Sequence, residues 1–146
     1  MRALLAGFLA LLGACSGLPD RVSGLRPRAP LFTTDSPRPS LRWESFPTDD
    51  VPLEIRDRVR EVVYDLRLRD PQGSLIEARE GLPAPEHILE RDLAPGMEYR
   101  WTVRARFTID GRPRETQWTE TPPYVGRWAM EEQGRGIPLR IEAKSP

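Results

Sequence analysis

The sequence holds a single cysteine, Cys15, and a single histidine, His87. Without a second cysteine no disulfide can form within the chain, so any folded domain here must be held by apolar burial alone. One histidine and one thiol fall short of the usual zinc ligand set. Neither a glycine-rich phosphate loop nor a nucleophile elbow occurs. Lysine is almost missing: Lys144 is the only one among the 22 Lys+Arg residues. A GC-rich coding bias accounts for that more readily than selection for bidentate contacts to phosphate or carboxylate. Acidic residues also number 22, so no net field draws the chain toward nucleic acid. No apolar run reaches the roughly 20 residues that a spanning helix needs.

What is present starts at the N-terminus. Met1 and Arg2 lead into an apolar run over residues 3–12, closed by Gly13, Ala14 and Cys15 before polar Ser16. This is the form of a secretory signal. Leu12, Gly13, Ala14 and Cys15 resemble the lipobox of bacterial lipoproteins. That resemblance implies cleavage after Ala14, a thioether-linked diacylglycerol on Cys15 and, in many bacteria, a third acyl chain such as palmitate. Ordinary cleavage that leaves a free thiol is the alternative. At about 0.8 kcal/mol per buried methylene, one chain anchors marginally and two or more anchor firmly. Ser16, standing where an aspartate would favour inner-membrane retention, implies by the same resemblance the periplasmic side of the outer membrane. The organisation expected is therefore a signal peptide over 1–14 and a lipidated N-terminus with a flexible tether over 15–38. Pro19, Pro27, Pro30 and Pro37 are spread through that tether, which has little to bury.

From residue 39 the pattern alternates with period two, the mark of half-buried strands. Met97, Tyr99, Trp101, Val103, Ala105 and Phe107 are expected to point inward, with Arg100, Arg104 and Arg106 on the opposite face. Val62, Tyr64, Leu66 and Leu68 form a second inward set, against Val63, Asp65, Arg67 and Arg69. Asp70, Pro71, Gln72 and Gly73 suit a tight turn, with residues 74–79 as the return strand. Asp110 and Gly111 give a second hairpin signal. Shorter strands are expected over 40–44, with Leu41 and Trp43 inward, and over 115–119, with Trp118 as a core residue. Residues 52–61 suit a turn or two of helix or a charged loop. Strands without intervening helices predict an all-β antiparallel sandwich over 39–125. Residues 126–146 read as a C-terminal extension, either an extra hairpin whose 137–141 arm covers a sheet edge or a tail that orders on a partner.

The run Leu93, Ala94, Pro95, Gly96, Met97, Glu98, Tyr99, Arg100, Trp101, Thr102, Val103, Arg104, Ala105 resembles the E–F corner and F strand of fibronectin type III domains. The resemblance implies that Leu93 plugs the core, that Pro95 and Gly96 turn the chain, and that the Tyr99 hydroxyl bonds back to backbone at the corner. It also makes Trp43 the strand B tryptophan and places strand C near Val63. Two features depart from it: the 46–60 connection is long, and no strand A stands out.

For chemistry, His87 reads as a lone surface or edge histidine rather than a general base, and Asp49 with Asp50 as solvated loop charge. No catalytic residue, metal or cofactor is expected. A basic stripe of Arg67, Arg69, Arg100, Arg104 and Arg106 could meet lipid headgroups, lipopolysaccharide phosphates or an acidic protein. Alternatively these arginines pair across strands with Asp65, Glu77 and Glu115 on an ordinary wet face. Trp128 and Tyr124 are further contact candidates. The function expected is a membrane-anchored, non-catalytic binding or scaffolding module of the cell envelope, with an envelope protein as partner. The alternative is an accessory subunit of an envelope complex that docks through its C-terminal tail; a glycan-binding module or an enzyme is less favoured.

Overall fold

Alternating apolar residues do build strands here, and they stack into an all-β sandwich. The computed structural model describes residues 21–22, 32–119 and 136–142. In chain order the elements are β1 (Arg21–Val22), β2 (Phe32–Thr34), β3 (Ser40–Arg42), α1 (Leu53–Arg56), β4 (Val59–Arg69), β5 (Leu75–Leu82), β6 (Glu86–Ile88), β7 (Glu98–Ile109), β8 (Arg112–Thr116) and β9 (Ile137–Ile141). The larger sheet runs β1-β8-β7-β4-β5, with β9 added on β7 and β2 on β9, while β3 and β6 form the smaller sheet. All pairings are antiparallel except β1 with β8 and β2 with β9.

The central strand β7 obeys its pattern closely. Tyr99, Trp101, Val103, Ala105, Phe107 and Ile109 are buried, and the residues between them are only partly so. Met97 departs from the expectation. It precedes the strand, in the turn, and is 36% exposed. On β4 the inward set holds for Tyr64, Leu66 and Leu68, while Val62 is half-buried. That strand starts at Val59, ahead of the residues read as strand C. Glu61 takes a left-handed φ of 54°, and the register with β7 shifts between Arg60 and Val63, a bulge that the alternation alone does not announce.

Both expected turns form. The Gly73 amide donates to the Asp70 carbonyl at 3.0 Å, and the Ser74 amide to Asp70 Oδ1 at 2.7 Å. Asp110 and Gly111 both have positive φ, 51° and 73°, as a type I′ hairpin requires. Leu41 and Trp43 close the core from the smaller sheet. The Trp43 ring stands edge-on to Tyr64 at 5.4 Å and tilted against Trp101 at 6.2 Å. Between residues 52 and 61, α1 makes a single turn before β4 begins.

One edge of β7 is covered by two separate strands. β8 pairs with Arg106–Ile109 and β9 with Glu98–Trp101. Between them Thr119 donates its amide to the Val103 carbonyl at 2.8 Å and accepts the Val103 amide on Oγ1 at 2.9 Å. The ladder is thereby kept satisfied across the gap. Chain re-entry is tight: a Cβ at Gly136 would lie 3.1 Å from the Trp101 carbonyl oxygen. Thus the 137–141 arm is a covering strand with Leu139 and Ile141 in the core, and the sandwich reaches past the 39–125 span read from the sequence. The tether span is likewise shortened, because β1 and β2 both lie within it. Residues 125–130, the other arm of the expected hairpin, lie outside the described residues.

Candidate interaction surface

The outward face of β4 and β7 carries the basic stripe, and the register sets its spacing. Asp65 lies opposite Arg104, Arg67 opposite Thr102 and Arg69 opposite Arg100. The five arginines do not form one continuous basic surface. Asp65 divides them.

Asp65 sits on the outward side of its strand yet is only 2% exposed. Arg104 Nε donates to it at 2.9 Å, Arg106 Nε at 3.0 Å and the Gly81 amide at 3.1 Å. Burial pushes its pKa up, but the hydrogen bonds from Arg106, Gly81 and Arg104, together with the Arg106 charge, outweigh that and hold the carboxyl below its ordinary value. Arg104 also meets Glu115 at 2.7 Å. Asp65 and Glu115 thus fasten down Arg104, and Asp65 also holds Arg106, as the cross-strand alternative expects.

The other three are placed differently. Arg100 pairs with Glu98 at 2.7 Å, and Arg69 donates to the Gly73 carbonyl at 2.8 Å. Among the described residues neither Arg67 nor Arg69 has a carboxylate partner. The Arg67 guanidinium lies over the Trp118 ring, 4.4 Å from its centroid, and that of Arg104 over the same ring at 4.8 Å. Trp118 is thus not the core residue that the 115–119 strand predicted. β8 ends at Thr116, and Trp118 lies half-buried on the outward face, where Thr116 and Thr119 take the buried positions instead.

Arg140 was not part of the expected stripe. It stands opposite Glu98 in the β9–β7 ladder, 3.4 Å from that carboxylate. The alternation in residues 137–141 puts Arg140 on the outward face, but only the pairing of β9 with β7 says which residues it joins. Arg67, Arg69, Arg100 and Arg140 thus share one end of the outward face as a basic corner, in which Glu98 pairs with Arg100 and Arg140.

Glu77 is the clearest relocation. Opposite Leu68 on β5, it faces the core at 6% exposure and takes no part in the arginine face. His87 Nε2 bonds its Oε1 at 2.6 Å, the Glu90 amide donates to Oε2 at 3.1 Å, and Arg79 stands 3.8 Å away. Of the surface or edge positions expected for His87, it takes the edge, on β6 of the two-stranded sheet, where its largely buried side chain ties the smaller sheet to the larger. Asp49 is exposed in its loop and meets Arg56 at 3.2 Å. Near Arg106 an open depression of about 800 Å³ is lined by Glu61, Thr108, Arg112 and Glu115 among others, with both signs of charge on its walls. Among the described residues no group of three His, Cys, Asp or Glu side chains could hold a metal, and no helix is long and apolar enough to cross a membrane. Cys15, Tyr124 and Trp128 lie outside the described residues. Comparison with family models, with curated proteins and with solved structures finds no match to this chain.

Proposed function

We propose that this chain is a lipid-anchored protein of the cell envelope whose sandwich is a non-catalytic binding module, presenting the outward face of β4, β7 and β9 to its partner. The observation that carries the reading is the basic corner: four arginines on the outward face of one sheet, with Glu98 paired to two of them. Such a face recognises charge and shape without any reactive group. The anchor is supported by the Leu12–Cys15 motif and by the absence of any other cysteine.

The finer assignment, to fibronectin type III or a related immunoglobulin-like topology, is supported by two features. The sheet order β8-β7-β4-β5 beside β3-β6 matches strands G-F-C-C′ beside B-E. The Tyr99 hydroxyl accepts the Ala94 amide at 2.9 Å, the corner bond that the Leu93–Tyr99 run implies.

The test is made on protein purified from its own cells. Its intact mass is expected to exceed that of the chain from residue 15 by at least a diacylglycerol, it should enter the detergent phase, and Cys15→Ala should abolish both. An unmodified mass with full recovery in buffer refutes the anchor. Crosslinking in intact cells, with and without the arginine substitutions, tests the binding face.

A further inference from the structure

The basic corner carries a cost within the free domain. Arg69 and Arg100 are directly opposite one another across β4 and β7, an arrangement in which like charges repel. Glu98 is shared between Arg100 and Arg140, which leaves Arg67 and Arg69 without an anion among the described residues. A surface that keeps such a repulsion is suited to an outside counter-charge. Guanidinium forks match phosphate oxygens in pairs. Trp118, half-buried between sheet and solvent beneath Arg67 and Arg104, is the kind of ring that settles at the level of lipid headgroups.

The chain's own connection then selects the partner. β1 holds Arg21 and Val22 against Glu115 and Thr116 of β8, the strand beside β7. From Cys15 to Arg21 is only six residues of chain, which span at most about 20 Å when fully extended. That tie holds the β8 edge, beside Arg106, within about 20 Å of the membrane; the corner lies toward the other end of β7, so it reaches the headgroups when the outward sheet face lies along the bilayer.

We infer that the corner formed by Arg67, Arg69, Arg100 and Arg140 docks on the anionic phospholipid headgroups of the membrane that carries the anchor. The inference deepens the binding reading above, and it relies on the anchor only to bring the surface and the membrane together.

The probe is the mature chain starting at residue 15 with Cys15→Ser, which has no acyl chains and keeps every described residue. It is sedimented with vesicles of phosphatidylcholine alone, or of phosphatidylcholine and phosphatidylglycerol in equal parts. Binding is expected only to the anionic vesicles, and it should fall as salt rises. Each of Arg67→Ala, Arg69→Ala, Arg100→Ala and Arg140→Ala should weaken partitioning about fivefold, whereas Arg91→Ala, on an exposed turn, should not. Arg69→Ala should leave the thermal transition cooperative and the far-ultraviolet spectrum unaltered, because losing the Gly73 hydrogen bond is offset by relief of the repulsion with Arg100. That combination separates a docking role from a structural one. Failure to bind anionic vesicles, equal binding to neutral ones, or insensitivity to the four substitutions overturns the inference. Since the probe carries no lipid, none of these outcomes bears on acylation of Cys15, which the mass measurement decides separately.

Discussion

At the scale of single residues, Asp65 shows how a charge on an outward face becomes structural. Its carboxylate is held below the ordinary value by Arg106, Gly81 and Arg104 against the opposing effect of burial. A depressed carboxylate contributes stability that is fully present above its unfolded value, about 3.9, and lost as pH falls through the lower folded value. Urea unfolding followed from neutral pH into acid should therefore show stability falling below about pH 4, and Asp65→Asn should flatten that fall. At neutral pH the same substitution should cost about 1–3 kcal/mol, since two guanidinium groups lose a charged acceptor. Tyr99 offers a cleaner test of the corner. Tyr99→Phe keeps the ring in the core but removes the acceptor of the Ala94 amide, and should cost about 1 kcal/mol in denaturant midpoint without altering the far-ultraviolet spectrum.

Among the elements, the coupling of the two sheets and the split edge of β7 carry the most weight. The Glu77–His87 bond joins β5 to β6, and therefore the large sheet to the small one. Glu77→Leu removes the acceptor of both His87 and the Glu90 amide, and should destabilise the domain by about 1–3 kcal/mol. Amide exchange should rise first in β3 and β6, the pair that this bond fastens. The split edge makes a different prediction. Thr119 and Gly136 both contact β7 between Trp101 and Val103, which are two strand positions apart, or about 7 Å. Replacing residues 120–135 with a short glycine-serine linker should therefore keep β8 and β9 in place. The transition should remain cooperative, with a midpoint within a few degrees of the parent's. Loss of the transition would mean that the inserted residues are part of the fold.

For the whole molecule, a sandwich with no possible internal disulfide rests on its buried residues. Leu66, Leu68, Trp101, Val103 and Leu139 are all fully buried between the sheets, and Leu66→Ala should cost about 2–5 kcal/mol by chemical denaturation, with no effect of reductant on the parent. Much of this molecule was legible in consecutive residues. Alternation placed β4 and β7, turn chemistry placed both hairpins, and the Leu93–Tyr99 run placed the corner, because strand period and turn preference act over neighbouring positions. The same alternation set Asp65 and the arginines on one face. What it left open was which of them neutralise one another, since Asp65 and Arg104 are 39 positions apart and meet only through the register of two strands. Glu77 was misplaced for a related reason: its facing depends on pairing with Leu68 across a strand whose register shifts. Arg140 entered the corner only once β9 had docked on β7. By itself the sequence determined the strands, the turns and the sandwich class, all of which follow from local spacing. Tertiary structure alone decided which charges are buried, which are paired and which are left facing outward, because those outcomes depend on strands brought together from distant parts of the chain.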